Sequence, residues 1–264
     1  MGQVIVITSG KGGVGKTTTT ANIGTGLAKM GKSVVLIDAD IGLRNLDVVM
    51  GLENRIVYDL VDVVEGNCRI RQALIKDKRF DELYLLASAQ TKDKSAVSPE
   101  QMVKLIASIV DEYDYIIIDC PAGIEQGFKN AIAGAHRAIV VVNPEVSSVR
   151  DADRIVGLLQ NAEIDEIHLV LNRLRPDLIR RGEMLSLDDV VDILAIDVLG
   201  VVPDDEAIVT STNRGETVVM DDKSPAGASY KNVVERIINP AVAMLEIQEE
   251  TGFMAKIRKM FKRG

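Results

Sequence analysis

Cysteine is scarce in this chain. Cys68 and Cys120 stand far apart and form no CxxC pair, which argues against a disulfide framework and against a cysteine-based zinc site. Two isolated thiols suit a reducing compartment. Positive charge is short as well: 31 Lys and Arg against 39 Asp and Glu give a formal charge of -8. A general positive field that holds nucleic acid is therefore excluded for the body, and only local basic patches could do that work. No apolar run approaches the roughly 20 residues of a membrane span. The first apolar stretch, Val4–Thr8, is short and follows no basic segment, so no signal peptide is expected. Myristoylation after Met1-Gly2 wants Ser or Thr at position 6, where Val6 stands. Internal repeats and low-complexity linkers are missing too.

What is present suits one large α/β domain. The chain has 264 residues, 47% apolar and 27% charged, enough to bury a core without disulfides. Short β-branched runs read as buried parallel strands: Val4–Thr8, Ser33–Asp38, Leu83–Ala87, Tyr115–Asp119, Ala138–Val142, Ile167–Leu171 and Val198–Val201. Helical patterns alternate with them, notably Lys16–Met30, Pro99–Glu112, Ser147–Gln160 and Ser186–Leu194, with a last helix over Ala226–Glu250. The expected fold is α/β: a doubly wound, mostly parallel sheet with helices on both faces. Right-handed crossovers then place ligands at the C-terminal strand ends. The expected division is a domain over 1–250 and a separate segment over 251–264.

Gly10-Lys11-Gly12-Gly13-Val14-Gly15-Lys16-Thr17 fits G-x-x-x-x-G-K-[ST] and lies between an apolar strand and a helix, the context the motif requires. Glycines let successive N–H groups turn inward around phosphate oxygens. Lys16 is expected to reach the β- and γ-phosphates, and the Thr17 hydroxyl to ligate magnesium. The helix N-terminus adds partial positive charge. Thr18 completes the nucleotide-binding set. Tyr115–Asp119 is an apolar strand ending in a carboxylate. Asp119 can hold magnesium through water, although an Asp after a strand also serves as a turn residue.

Lys11 is a second lysine that a phosphate loop alone does not require. The run Lys11–Thr17, KGGVGKT, resembles the deviant Walker A ATPases. The resemblance implies that Lys11 reaches across a homodimer to the partner's nucleotide, as an arginine finger does in trans. The expected catalytic set is Lys11, Lys16 and Asp40, acting on ATP with Mg2+. In this family Asp38-Ala39-Asp40 opens switch I, with Asp38 near magnesium and Asp40 positioning the attacking water; a turn-capping carboxylate is the plainer reading of Asp40. Asp119–Gly123 corresponds to switch II, which the γ-phosphate orders. The resemblance also puts the base beside Asn172 and Arg173, helped by the backbone at Pro203 and Asp204. An Asn at a strand end is otherwise an ordinary turn former.

Thr251–Gly264 holds five basic residues and no acidic one. On a helical wheel Phe253, Met254, Ile257, Met260 and Phe261 fall within about 120° of one another. Lys256, Arg258, Lys259, Lys262 and Arg263 fill the other side. This is the pattern of an interfacial helix on an anionic membrane; a helix packed on the chain's own acidic body is the alternative. Each cation contributes up to about 1 kcal/mol near such a surface, so a single tail binds weakly. Two tails on one dimer gain about 100- to 10,000-fold from effective concentration.

Within the deviant Walker A ATPases the chain most resembles the MinD family, over Asp40–Asp47, Asn143–Asp151 and the tail. That resemblance implies an ATP-dependent homodimer that positions the division septum. Its expected partners are a MinC-like inhibitor, a MinE-like activator and an anionic membrane surface. Arg44 and Asp151 match positions implicated in partner binding. The expected location is cytoplasmic, peripheral to the inner face of the membrane when ATP is bound. A ParA-like partition ATPase, an iron–sulfur carrier and a paralogue with another cargo are the alternatives; the acidic body opposes the first, and the cysteine placement opposes the second.

Overall fold

A computed structural model describes residues 2–247. The sheet has eight strands: β1 (Gln3–Thr8), β2 (Val34–Asp38), β3 (Ile75–Lys76), β4 (Leu83–Leu86), β5 (Tyr115–Asp119), β6 (Arg137–Val142), β7 (Glu166–Leu174) and β8 (Asp197–Pro203). Their order is β3-β4-β2-β5-β1-β6-β7-β8. Every pairing is parallel except that of β3 with β4. All seven expected strands are present. The eighth, β3, is a two-residue edge strand, too short to carry a periodic signal.

The central strands are apolar at consecutive positions because helices cover both faces. Val4, Val6, Val35, Ile37, Ile116 and Ile118 face one core. The helices Pro99–Ala107, Val146–Asn161 and Leu187–Leu194 close it with Met102, Ile106, Val149, Ile155, Leu159 and Val190. Ile5, Ile7, Leu36, Ile117, Ile139 and Val141 face the other core. Helices Lys16–Lys29 and Pro225–Ile238 seal that side through Ile23, Leu27, Tyr230, Val233 and Ile237.

The last helix is shorter than its pattern. It ends at Ile238, with Asn239 extended at φ -138 and ψ 99, not at Glu250. Pro240 follows, and a proline pushes the residue before it out of the α region. The chain then folds back along the same helix: the Asn232 Nδ2 donates to the Ala243 carbonyl at 3.0 Å, and the Leu245 N–H donates to Asn232 Oδ1 at 2.8 Å. The helix from Pro99 likewise stops early, at Ala107. No helix among the described residues is long and apolar enough to cross a membrane. The amphipathic segment with Phe253, Ile257 and Phe261 lies outside the described residues.

Strand order decides where chemistry is placed. β1 lies between β5 and β6, and connections leave it toward β2 on one side and reach β6 on the other. In a doubly wound sheet this reversal opens a crevice at the C-terminal strand ends. The loop Ser9–Gly15 emerges there. Register then brings three strand ends together, with Ile7 opposite Asp119 and Asp38 opposite Asp119.

Candidate nucleotide site

The phosphate loop turns where glycine permits it. Gly13 has φ 76 and Gly15 has φ 101, values that residues with a Cβ adopt only under strain. Gly15 is also the N-cap of the helix Lys16–Lys29, so the loop's N–H groups and the helix terminus converge on one spot. Gly10 answers a different constraint. A Cβ there would overlap the Asp151 backbone, so the loop rests directly on the helix Val146–Asn161. Inside the loop, Ser9 Oγ donates to the Lys11 carbonyl at 2.8 Å.

Asn172 lies under this loop. It is buried at the end of β7, and its Nδ2 donates to the Val14 carbonyl at 2.8 Å. A Cβ on Gly15 would strike the same nitrogen. Its Oδ1 is buried without a hydrogen-bond partner. Asn172 is therefore a support of the phosphate loop, a contact that sequence spacing could not reveal. Arg173, exposed with φ 56, follows it. Leu174 pairs with Pro203 across β7 and β8, and the Asp204 N–H donates to the Leu174 carbonyl at 3.0 Å. Arg173, Pro203 and Asp204 thus gather at the C-terminal ends of β7 and β8.

Two carboxylates face the loop from adjacent strands. Asp38 and Asp119 are buried. Burial first, and the neighbouring Asp119 second, push the Asp38 carboxyl up to about 8. Burial also raises Asp119, to about 6, against the lowering influence of the Thr17 hydroxyl and the Lys16 ammonium. Thr20 Oγ1 donates to Asp119 Oδ1 at 3.2 Å and to the Lys16 carbonyl at 3.0 Å. Thr20 was not singled out by the motif, although it stands one helical turn after Lys16. Two buried carboxylates beside a hydroxyl favour a cation between them. No group of three or more His, Cys, Asp or Glu forms a closed metal cage among the described residues. That donor set suits magnesium, which takes one or two protein oxygens and completes its shell from phosphates and water.

The loop that follows β2 hangs from Asp38. The Asp40 N–H donates to Asp38 Oδ1 at 2.9 Å, and the Leu46 N–H to Oδ2 at 3.2 Å. Arg44 Nε donates to Asp47 Oδ2 at 2.8 Å. The guanidinium expected to meet a partner is therefore turned inward, and its side chain is only 17% exposed. Asp151 is exposed on the first turns of its helix, against Gly10.

Lys11 sits outside its own loop. Its Nζ lies 3.3 Å from Glu145 Oε2 and 3.3 Å from Ser147 Oγ, at the start of the helix Val146–Asn161. Both ends of the ion pair are about half exposed, 45% and 53%, so it contributes at most about 1 kcal/mol. Glu145 and Ser147 were not legible as its neighbours, because 134 residues separate Glu145 from Lys11. Cys120 is buried, its thiol pushed up to about 12 by burial, and it packs in the core beside Ile118.

A glycine loop on a parallel-sheet crevice, a lysine and threonine at a helix start, and two buried strand-end carboxylates define the class. It is a P-loop ATPase of the deviant Walker A type. A family profile described as an AAA domain matches residues 2–172. The septum site-determining protein MinD of Bacillus subtilis (strain 168) is 57% identical over 264 residues, covering 99% of this chain and 98% of that protein. The MinC:MinD cell division protein complex of Aquifex aeolicus superposes with a TM-score of 0.86 at 48% identity, covering 94% of this chain and 99% of that one. A MinD complexed with Mg-ADP from Pyrococcus horikoshii OT3 gives 0.83 at 30% identity, over 91% of this chain and 98% of that one. The chain belongs to the MinD family of septum site-determining ATPases.

Proposed function

We propose that this ATPase is a membrane switch whose nucleotide state sets its oligomeric state. The observation that carries this reading is the place of Lys11. A catalytic lysine for its own nucleotide would point into the loop. Lys11 instead points outward, half exposed and weakly tied to Glu145 and Ser147. Such a side chain is free to reach phosphate held by a second copy. ATP would sit on Gly10–Thr18, with Lys16 on the β- and γ-phosphates. Thr17, Asp38 and Asp119 would hold Mg2+, which supplies positive charge against the phosphate oxygens. Asp40 would orient the attacking water. Arg173, Pro203 and Asp204 would border the base, with Asn172 fixing the loop beside it.

Dimerisation would place two tails, residues 251–264, on one assembly, and their joint avidity would hold the ATP form on anionic lipid. Hydrolysis would release it to the cytoplasm. The relative from Aquifex aeolicus was solved as a MinC:MinD complex, which supports a MinC-like inhibitor as the cargo here. The Asp151 surface and switch I around Arg44 are the proposed contacts, and a MinE-like activator would drive turnover. The test is sedimentation velocity of the full chain with ATP. The parent should form ATP-dependent dimers, Lys16→Ala should not, and Asp40→Ala should form dimers that persist with little turnover. Dimers of Lys16→Ala that still need ATP would overturn the phosphate assignment, and normal turnover in Asp40→Ala would remove Asp40 from the chemistry.

A further inference from the structure

Ala39–Asn45 leaves β2 as a loop bracketed by one carboxylate and ends where the short helix Leu46–Val49 begins. Asp38 accepts from Asp40 at its start and from Leu46 at its end. The Gly42 N–H donates to the Ala89 carbonyl at 2.9 Å, and the Leu43 and Arg44 N–H groups both donate to the Asp40 carbonyl, at 3.2 and 3.3 Å. Arg44 therefore ties the turn directly to Asp40. Its φ is 44, a left-handed value that a long cationic side chain gives no intrinsic reason to adopt. Such conformations persist where their surroundings over-determine them.

Asp47 supplies the determination. Its side chain is wholly buried beside the core residues Leu46, Val49 and Met50. One oxygen, Oδ1, is buried with no hydrogen-bond partner. The other meets the Arg44 guanidinium at 2.8 Å. A buried carboxylate with one cationic neighbour holds that neighbour strongly, because releasing it strands a charge away from water. We propose that Asp47 is a positioning residue. It pulls Arg44 into the left-handed turn and thereby fixes the arm that carries Asp40 and displays Leu43, a residue 64% exposed. Arg44 then influences partners through the shape of the loop and through Leu43, and its own charge stays inside. The catalytic consequence rests on the reading of Asp40 given above; the loop-holding consequence does not.

The test uses the full chain with Asp47→Asn, Arg44→Gln and the double variant. Asp47→Asn keeps the shape of the buried side chain, and Arg44→Gln changes only the loop. Backbone hydrogen exchange over residues 40–46 should quicken by about tenfold or more in each single variant, as expected when a local closed state is lost. Turnover should fall about tenfold, because a small displacement of a positioning group is costly in rate. The ATP Kd should stay within about twofold, since the phosphate loop is untouched. The double variant should be no worse than the worse single, the signature of one shared interaction. Unchanged exchange, or losses that multiply, would overturn the clamp. Quickened exchange with parental turnover would overturn its positioning role. Asp40→Ala, run alongside, separates these failures: normal turnover there defeats the Asp40 reading, while exchange in Asp47→Asn still decides the clamp.

Discussion

Gly15→Ala tests the phosphate loop where backbone and side-chain constraints meet. Gly15 holds φ 101 and ψ 25, and an alanine forced there stores about 1–3 kcal/mol of strain. The added Cβ also meets Asn172 Nδ2, the nitrogen that donates to the Val14 carbonyl. Displacing that hydrogen bond costs about 1 kcal/mol more. In the free protein the loop can relax away from the strain. ATP requires the strained shape, so the total of about 2–4 kcal/mol falls on binding, a loss of about 30- to 700-fold in affinity. Gly13→Ala is the internal control. It has φ 76, and a methyl group added there would have no neighbour within 4 Å, so only the strain applies, about 5- to 150-fold. Isothermal titration with ATP and magnesium reads both variants, and thermal melting confirms that each remains folded. Near-parental affinity in Gly15→Ala, or a larger loss in Gly13→Ala, would refute the geometry assigned to Asn172 and the loop.

Three further outcomes are expected. Lys11→Ala should bind ATP within about threefold of the parent, because the lysine contributes to its own loop only through the Ser9–Lys11 backbone contact, yet dimerisation by ATP should be lost; parental dimers in sedimentation velocity would contradict the trans role. Asp205→Ala should lower stability by about 1–2 kcal/mol at pH 7, the usual cost of a lost helix cap, since Asp205 caps Glu206–Thr212 and accepts from Ser224 Oγ at 2.6 Å. Burial acts to raise the Asp205 pKa, but the Ser224 hydroxyl and the Ala207 and Ala226 N–H groups outweigh it and the net shift is downward. The folded chain then binds fewer protons there than the unfolded chain, so this stability is present above the ordinary value of 3.8 and is lost as pH falls through the lowered one. The melting difference between parent and variant should narrow in acid and stay constant from pH 6 to 8.

Much of the fold was legible because buried parallel strands are apolar at every position. Val4–Thr8 and Tyr115–Asp119 could be read from composition alone, and the strand-end carboxylates followed from their boundaries. The antiparallel β3 was not legible: two residues hold no period. The overlong last helix had a visible warning in Asn239-Pro240, since a proline pushes the residue before it out of the α region. Within the site, Gly10–Thr17 and Asp119 were local in sequence and easily read. Asn172 under the loop, Glu145 beside Lys11, and the inward turn of Arg44 depend on contacts across the sheet or on a left-handed backbone. Residue type and spacing carry no signal for either. The tail's periodicity was plain, because Phe253, Ile257 and Phe261 recur at helical spacing.

The most direct measurement is co-sedimentation of the full chain with anionic vesicles under ATP, ADP and no nucleotide, alongside a chain lacking Thr251–Gly264. The full chain should pellet with ATP and stay largely in the supernatant otherwise, while the truncated chain keeps its ATPase activity and stays in solution throughout. Vesicle binding that ignores nucleotide, or that survives loss of the tail, would contradict the coupling of ATP to membrane attachment.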